Sequence, residues 1–160
     1  MLTESRQTYL HALLLKCATR EYLFTGKNLY KRMKTAYLDL DGSWAVVVVY
    51  DYDVDYEYEE LSAVLESFKV KPIDVRRSLQ ILSAPNTGMC VSFPEVKMSL
   101  VMISNATSND QFFSTVTHEL YHATCGIIRY YGSGTCSEDA AYTMGELMKQ
   151  FVTEVAVPCY

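Results

Sequence analysis

Chemistry concentrates in one stretch, Thr117-His118-Glu119-Leu120-Tyr121-His122, which reads H-E-x-x-H. On a helix, residues four apart lie one above the other, so the imidazoles of His118 and His122 share a face and can reach one metal ion. Glu119 projects beside that ion, where its carboxylate can accept a proton from a metal-bound water. The pattern points to a zinc-dependent hydrolase with Glu119 as general base, and first of all to a peptidase. The same pentapeptide can arise by chance on a solvated helix. Here it sits among Phe112, Phe113, Val116, Leu120, Ala123, Ile127 and Ile128, where ionisable side chains are costly unless they find partners.

Two histidines rarely hold a catalytic zinc alone; three protein ligands and a water are usual. The three-histidine pattern H-E-x-x-H-x-x-G-x-x-H fails, since Cys125 and Ile128 stand where its glycine and last histidine belong. Glu138 is the best third ligand, because the short turn Gly132–Cys136 makes neighbours of the two helices it joins. The expected set is His118, His122 and Glu138, with an open fourth position for water. Asp139, Cys125 and Glu146 compete for the third place. Asp139 points a quarter turn from Glu138, Cys125 shares the histidine face, and Glu146 lies two turns further on. Tyr142, one turn after Glu138, either stabilises an oxyanion or packs.

The elements that must position these groups follow from periodicity and punctuation. Ser108, followed three residues later by Gln111, is a capping signal for the motif helix, and Gly132-Ser133-Gly134 ends it. A last helix is expected from about Ser137 to Val155. Upstream, Trp44–Tyr50 is a β-branched and aromatic run that reads as a central strand covered on both faces. Leu61, Val64, Leu65 and Phe68 mark one helix face, and Val75, Leu79 and Leu82 mark another after Lys71-Pro72. Met89–Phe93 and Lys97–Ser104, separated by Pro94-Glu95-Val96, read as a hairpin. Residues 4–24 have helical spacing, and residues 28–38 are basic with weak helical character. His11, alone among apolar residues, is read as packed or exposed, not as a ligand. The expected organisation is a single domain over 1–160, with a basic helical arm at 1–36, a sheet with helices at 37–104, and a two-helix metal site at 105–155.

Composition narrows the function classes. A net charge of −5 argues against a nucleic-acid partner. No apolar run is long enough to span a membrane, and the N-terminus lacks the pattern of a signal peptide. The five cysteines are odd in number and irregularly spaced, which favours reduced thiols. The stretch Asp51–Glu60 holds six acids and no base. Asp51, Asp53 and Asp55 begin like a calcium loop, but Tyr56 and Ser62 occupy its glycine and glutamate positions. A strand end leading into an acidic helix N-terminus is the better account.

The runs Ser104-Asn105-Ala106-Thr107-Ser108, Phe112–Thr117, His118–His122 and Ser137-Glu138-Asp139-Ala140-Ala141-Tyr142-Thr143-Met144-Gly145-Glu146-Leu147 resemble a group of small H-E-x-x-H proteins encoded by bacteriophages and prophages, including those of gut Bacteroidetes. The group is described as zinc peptidases of gluzincin-like type. The resemblance covers roughly residues 88–150. It implies zinc on His118, His122 and Glu138, Glu119 as general base, and a zincin-like α+β fold with a small mixed sheet and an edge strand beside the cleft. A peptide or protein substrate and a location in the host cytoplasm or the virion follow from it. The rival expectation is a phage virion or tail protein that keeps the fold around a structural or vestigial metal and binds other phage structural proteins.

Overall fold

A computed structural model describes residues 33–155. They form a mixed α+β fold of four strands and four helices: β1 Lys34–Leu40, β2 Trp44–Tyr50, α1 Tyr58–Ser67, α2 Pro72–Leu82, β3 Gly88–Phe93, β4 Met98–Ile103, α3 Asn109–Tyr130 and α4 Glu138–Glu154. The helix expected over 4–24 and His11 lie outside the described residues. None of the described helices is long and apolar enough to cross a membrane.

The sheet runs in the order β1-β2-β4-β3. β2 pairs antiparallel with β1 and parallel with β4, and β4 pairs antiparallel with β3. Every residue of β2 is buried, as its unbroken apolar run predicts for a strand covered on both faces. Side chains alternate between the two faces. Val46, Val48, Tyr50, Val101 and Ile103 pack with Phe112, Val116, Leu120, Ala123 and Ile127 of α3 and with Leu147 and Phe151 of α4. Ala45, Val47, Val49, Met98, Leu100 and Met102 pack with Leu61, Val64 and Leu65 of α1 and with Val75, Leu79 and Leu82 of α2. The sheet is thus the middle of three layers. The hairpin expected between residues 89 and 104 is β3–β4, and β3 is its outer strand.

One expectation is overturned. Residues 34–38, read as weakly helical, belong to β1. Only Ala36 and Leu38 of that strand are buried, and they alternate with exposed Thr35 and Tyr37. Two apolar positions on an edge strand are too short a signal to outweigh the basic residues around them. The acidic stretch is a built turn. Asp53 Oδ1 accepts from the Asp55 backbone N–H, and the buried Glu57 carboxylate accepts from Met33 N–H at 3.0 Å and Asp53 N–H at 2.8 Å. Glu59 and Glu60 then occupy the first turn of α1, where the helix dipole favours them.

Candidate metal centre

Local sequence rules fix both ends of α3. Ser108 is extended, and its hydroxyl accepts from the Gln111 N–H at 3.2 Å. At the other end Gly132 adopts φ +79, a left-handed conformation that suits glycine. Ser133 N–H then donates to Ile128 C=O and Gly132 N–H to Arg129 C=O, both at 3.1 Å, which is a Schellman closure. Ser137 caps α4 through the Ala140 N–H.

With Leu120 directed into the core, His118 and His122 lie roughly 160° around the helix from it, at about 100° per residue. Both imidazoles are exposed on the outer ridge of α3. Their Nε2 atoms are 3.1 Å apart. Two nitrogens bound at about 2.0–2.1 Å to a tetrahedral zinc ion are separated by about 3.3 Å. The separation is therefore close to that of a chelating pair, and the two imidazoles share a hydrogen bond across it.

Glu119 turns the other way, against β3. Its side chain is 8% exposed, compared with 67% for His118, and its Oε1 lies 3.9 Å from His118 Nε2. Burial pushes its carboxyl above the usual range, and the two histidines oppose that shift. The strand face beneath it is made of small residues: Gly88, Cys90 and Ser92. A Cβ on Gly88 would come 2.5 Å from Glu119 Cγ, and a Cβ on Gly126 of α3 would come 2.5 Å from Ser92 Oγ. Helix and strand thus touch through a glycine on each side. Ser92 Oγ shares a hydrogen bond with Ser99 Oγ at 2.8 Å, and Ser99 Oγ accepts from Trp44 Nε1 at 3.1 Å. This polar chain crosses the sheet below α3. Burial, with the nearby Glu119 charge second, pushes the Cys90 thiol up to about 12, so it stays protonated.

The structure brings His118, His122 and Glu119 together. It does not bring Glu138 or Tyr142 to them. Thr124 Oγ1 contacts Met144 Sδ at 3.6 Å, which sets the antiparallel register of α3 and α4. Glu138, six residues before Met144, falls level with the end of α3, about 12 Å along the axis from His122 at 1.5 Å per residue. On this register the turn leaves Glu138 beside the end of α3, and among the described residues it does not converge with the histidines. Tyr142 lines a cavity of about 380 Å³ with Leu40, Ile127, Tyr131 and Glu146, on the side of α3 that faces α4.

The competing ligands are engaged elsewhere. Asp139 Oδ2 accepts from Ser133 Oγ, Glu146 is held by Lys149 and Gln150, and Cys125 is buried. Among the described residues, no three His, Cys, Asp or Glu side chains converge on a metal position. The residues present fit two imidazole ligands and an adjacent base, without a third ligand from α4.

Comparison with protein-family models, with curated proteins and with solved structures finds no match to this chain. Sequence reading missed Gly88 and Gly126. The signal was there: small residues at alternate positions 88, 90 and 92 of a strand next to a long helix mean close helix–strand approach.

Proposed function

We propose that this chain is a zinc-dependent hydrolase of metallopeptidase type, built on a zincin-like version of its α+β fold. One observation carries the reading: the Nε2 atoms of His118 and His122 stand 3.1 Å apart beside the buried carboxylate of Glu119. His118 and His122 would hold the ion. Zinc bound there supplies Lewis acidity, which acidifies a water and polarises a carbonyl. Glu119 takes the proton of the attacking water and returns it to the leaving amine. Burial raises its pKa above the ordinary carboxylate value, and the two histidines oppose that shift. An extended peptide would pair with the edge strand β3, on which α3 lies. Glu138 reaches the histidines only if α4 slides along α3.

A second reading is favoured by the exposure of both histidines and by the distance of Glu138. In it the metal is structural or vestigial, and the chain is a phage virion or tail component binding other structural proteins. Measuring bound zinc and peptide cleavage for the native chain, Glu119→Gln and His118→Ala separates the two. Zinc retained and cleavage lost in Glu119→Gln, with zinc lost in His118→Ala, supports the hydrolase. Zinc bound without cleavage in the native chain supports the second reading. Absence of zinc from the native chain sinks both the catalytic and the structural metal.

A further inference from the structure

We infer that Gly88 is a positioning residue for the general base: the missing side chain at the head of β3 is the seat of the Glu119 carboxyl. A Cβ placed on Gly88 would stand 2.5 Å from Glu119 Cγ and 3.0 Å from both Cδ and Oε1. Carbon atoms in contact sit about 3.5–4.0 Å apart, so alanine here displaces the Glu119 side chain, the strand or both. Backbone conformation is not what requires glycine. Among the described residues the positive-φ glycines are Gly42 and Gly132, and Gly88 is not one of them. An alanine at 88 therefore fits the strand's dihedral angles, and the three atoms nearest its Cβ all belong to Glu119.

Glu119 is wedged between the strand backbone and the His118 imidazole, 3.9 Å from its Oε1. A methyl group 2.5 Å from its Cγ displaces the carboxyl from its seat against Gly88. The second close contact, Gly126 against Ser92, supplies an internal comparison. Its Cβ would stand 2.5 Å from Ser92 Oγ and 3.0 Å from Ser92 Cβ. Gly126→Ala thus crowds Ser92 across the same helix–strand contact without touching the carboxyl.

This assignment rests on the hydrolase reading for its catalytic part, while its steric part stands alone. The test is a set of melting curves of the metal-free protein, together with cleavage per bound zinc. Gly88→Ala is expected to lower Tm by several degrees in the native background and by less than half as much with Glu119→Ala. Gly126→Ala is expected to lower Tm equally in both backgrounds. Zinc content of Gly88→Ala should stay at the native level while kcat falls at least tenfold with KM little changed, as expected when a base is misplaced by about 1 Å. Gly126→Ala should keep kcat per zinc within about threefold of native.

If the Gly88→Ala loss of Tm is the same with and without the Glu119 side chain, the proposal is overturned. It is likewise overturned if the loss is coupled to Glu119 but kcat per zinc is unchanged. If Gly88→Ala does not fold, the double variant Gly88→Ala/Glu119→Ala decides the steric part: folding supports it and failure to fold overturns it. A native protein that binds zinc and cleaves nothing removes the catalytic role through the hydrolase reading. The Tm coupling then still reports separately on the contact.

Discussion

Thr124 Oγ1 lies 3.6 Å from Met144 Sδ, and this contact records how far α4 is advanced along α3. Thr124 Oγ1 also donates to Leu120 C=O within its own helix, at 2.9 Å. Further along, Gln150 clamps Asp39 of β1: its Oε1 accepts from Asp39 N–H and its Nε2 donates to Asp39 C=O, both at 2.9 Å. Sliding α4 by two turns would break these contacts and lift Leu147 and Phe151, both fully buried, from the sheet. Glu138→Ala is therefore expected to leave zinc affinity within about twofold of native, while His122→Ala lowers it by at least about a hundredfold, since one imidazole cannot chelate. A tenfold or larger loss in Glu138→Ala, read by competition with a zinc chelator, would show that α4 shifts when metal binds.

The parts of this fold that were legible in the sequence are those whose signal is local. The seven apolar residues of β2, the helical spacing of the apolar faces of α1 and α2, and the serine cap at 108 each specify an element without reference to its neighbours. The spacing of His118 and His122 places two imidazoles together by helix geometry alone. What was not legible depends on how elements meet. β1 shows only Ala36 and Leu38 to the core, and it is a strand because β2 offers it an edge. The height of Glu138 relative to His122 depends on side-chain interdigitation between α3 and α4, which a seven-residue turn does not determine. The seat of Glu119 likewise needs β3 and α3 to be in contact before a glycine there acquires meaning.

Tyr52 is 1% exposed, and its hydroxyl has no hydrogen-bond partner among the described residues. It packs with Leu61, Leu65 and Leu79, and burial pushes its pKa far above the usual tyrosine value. A buried hydroxyl without a partner carries its desolvation cost uncompensated. Tyr52→Phe keeps the ring and removes the cost, so it is expected to raise stability by about 1 kcal/mol. Urea unfolding measures this directly. A loss of about 1 kcal/mol or more would mean that the hydroxyl is satisfied in solution, for example by a trapped water.

Thiol reactivity should separate the described cysteines. Cys136 is exposed in the turn before α4, whereas Cys90 lies on β3 under α3 and Cys125 is buried. The thiolate is the reactive species, and burial with the adjacent Glu119 charge holds Cys90 at about 12, so at neutral pH it is almost wholly protonated. Brief treatment of the folded protein with iodoacetamide is expected to modify Cys136 and to spare Cys90 until denaturant is added. Peptide mass spectrometry reads the order. Modification of Cys90 as fast as Cys136 in the folded protein would mean that α3 lifts from β3 readily, and would weaken the account of how Glu119 is seated.

The buried Glu119 also makes stability depend on pH in a predictable direction. Its folded pKa is raised above the ordinary glutamate value, chiefly by burial. Between the unfolded and folded values the native state holds more protons than the unfolded state, so stability falls as pH rises through that window. The contribution is fully favourable below the ordinary carboxylate range and is lost once pH exceeds the folded pKa. Glu119→Gln keeps the shape and removes the titration. In metal-free protein, the stability of Glu119→Gln relative to native should be smallest near pH 4, grow as pH rises, and level off where the carboxyl is fully ionised. Parallel urea titrations from pH 4 to pH 8 in the presence of a chelator follow the difference, in which the other carboxylates cancel. A difference that stays flat, or that shrinks with rising pH, would mean that Glu119 is solvated or ion-paired in the folded state, and would remove the physical basis for a base tuned by burial.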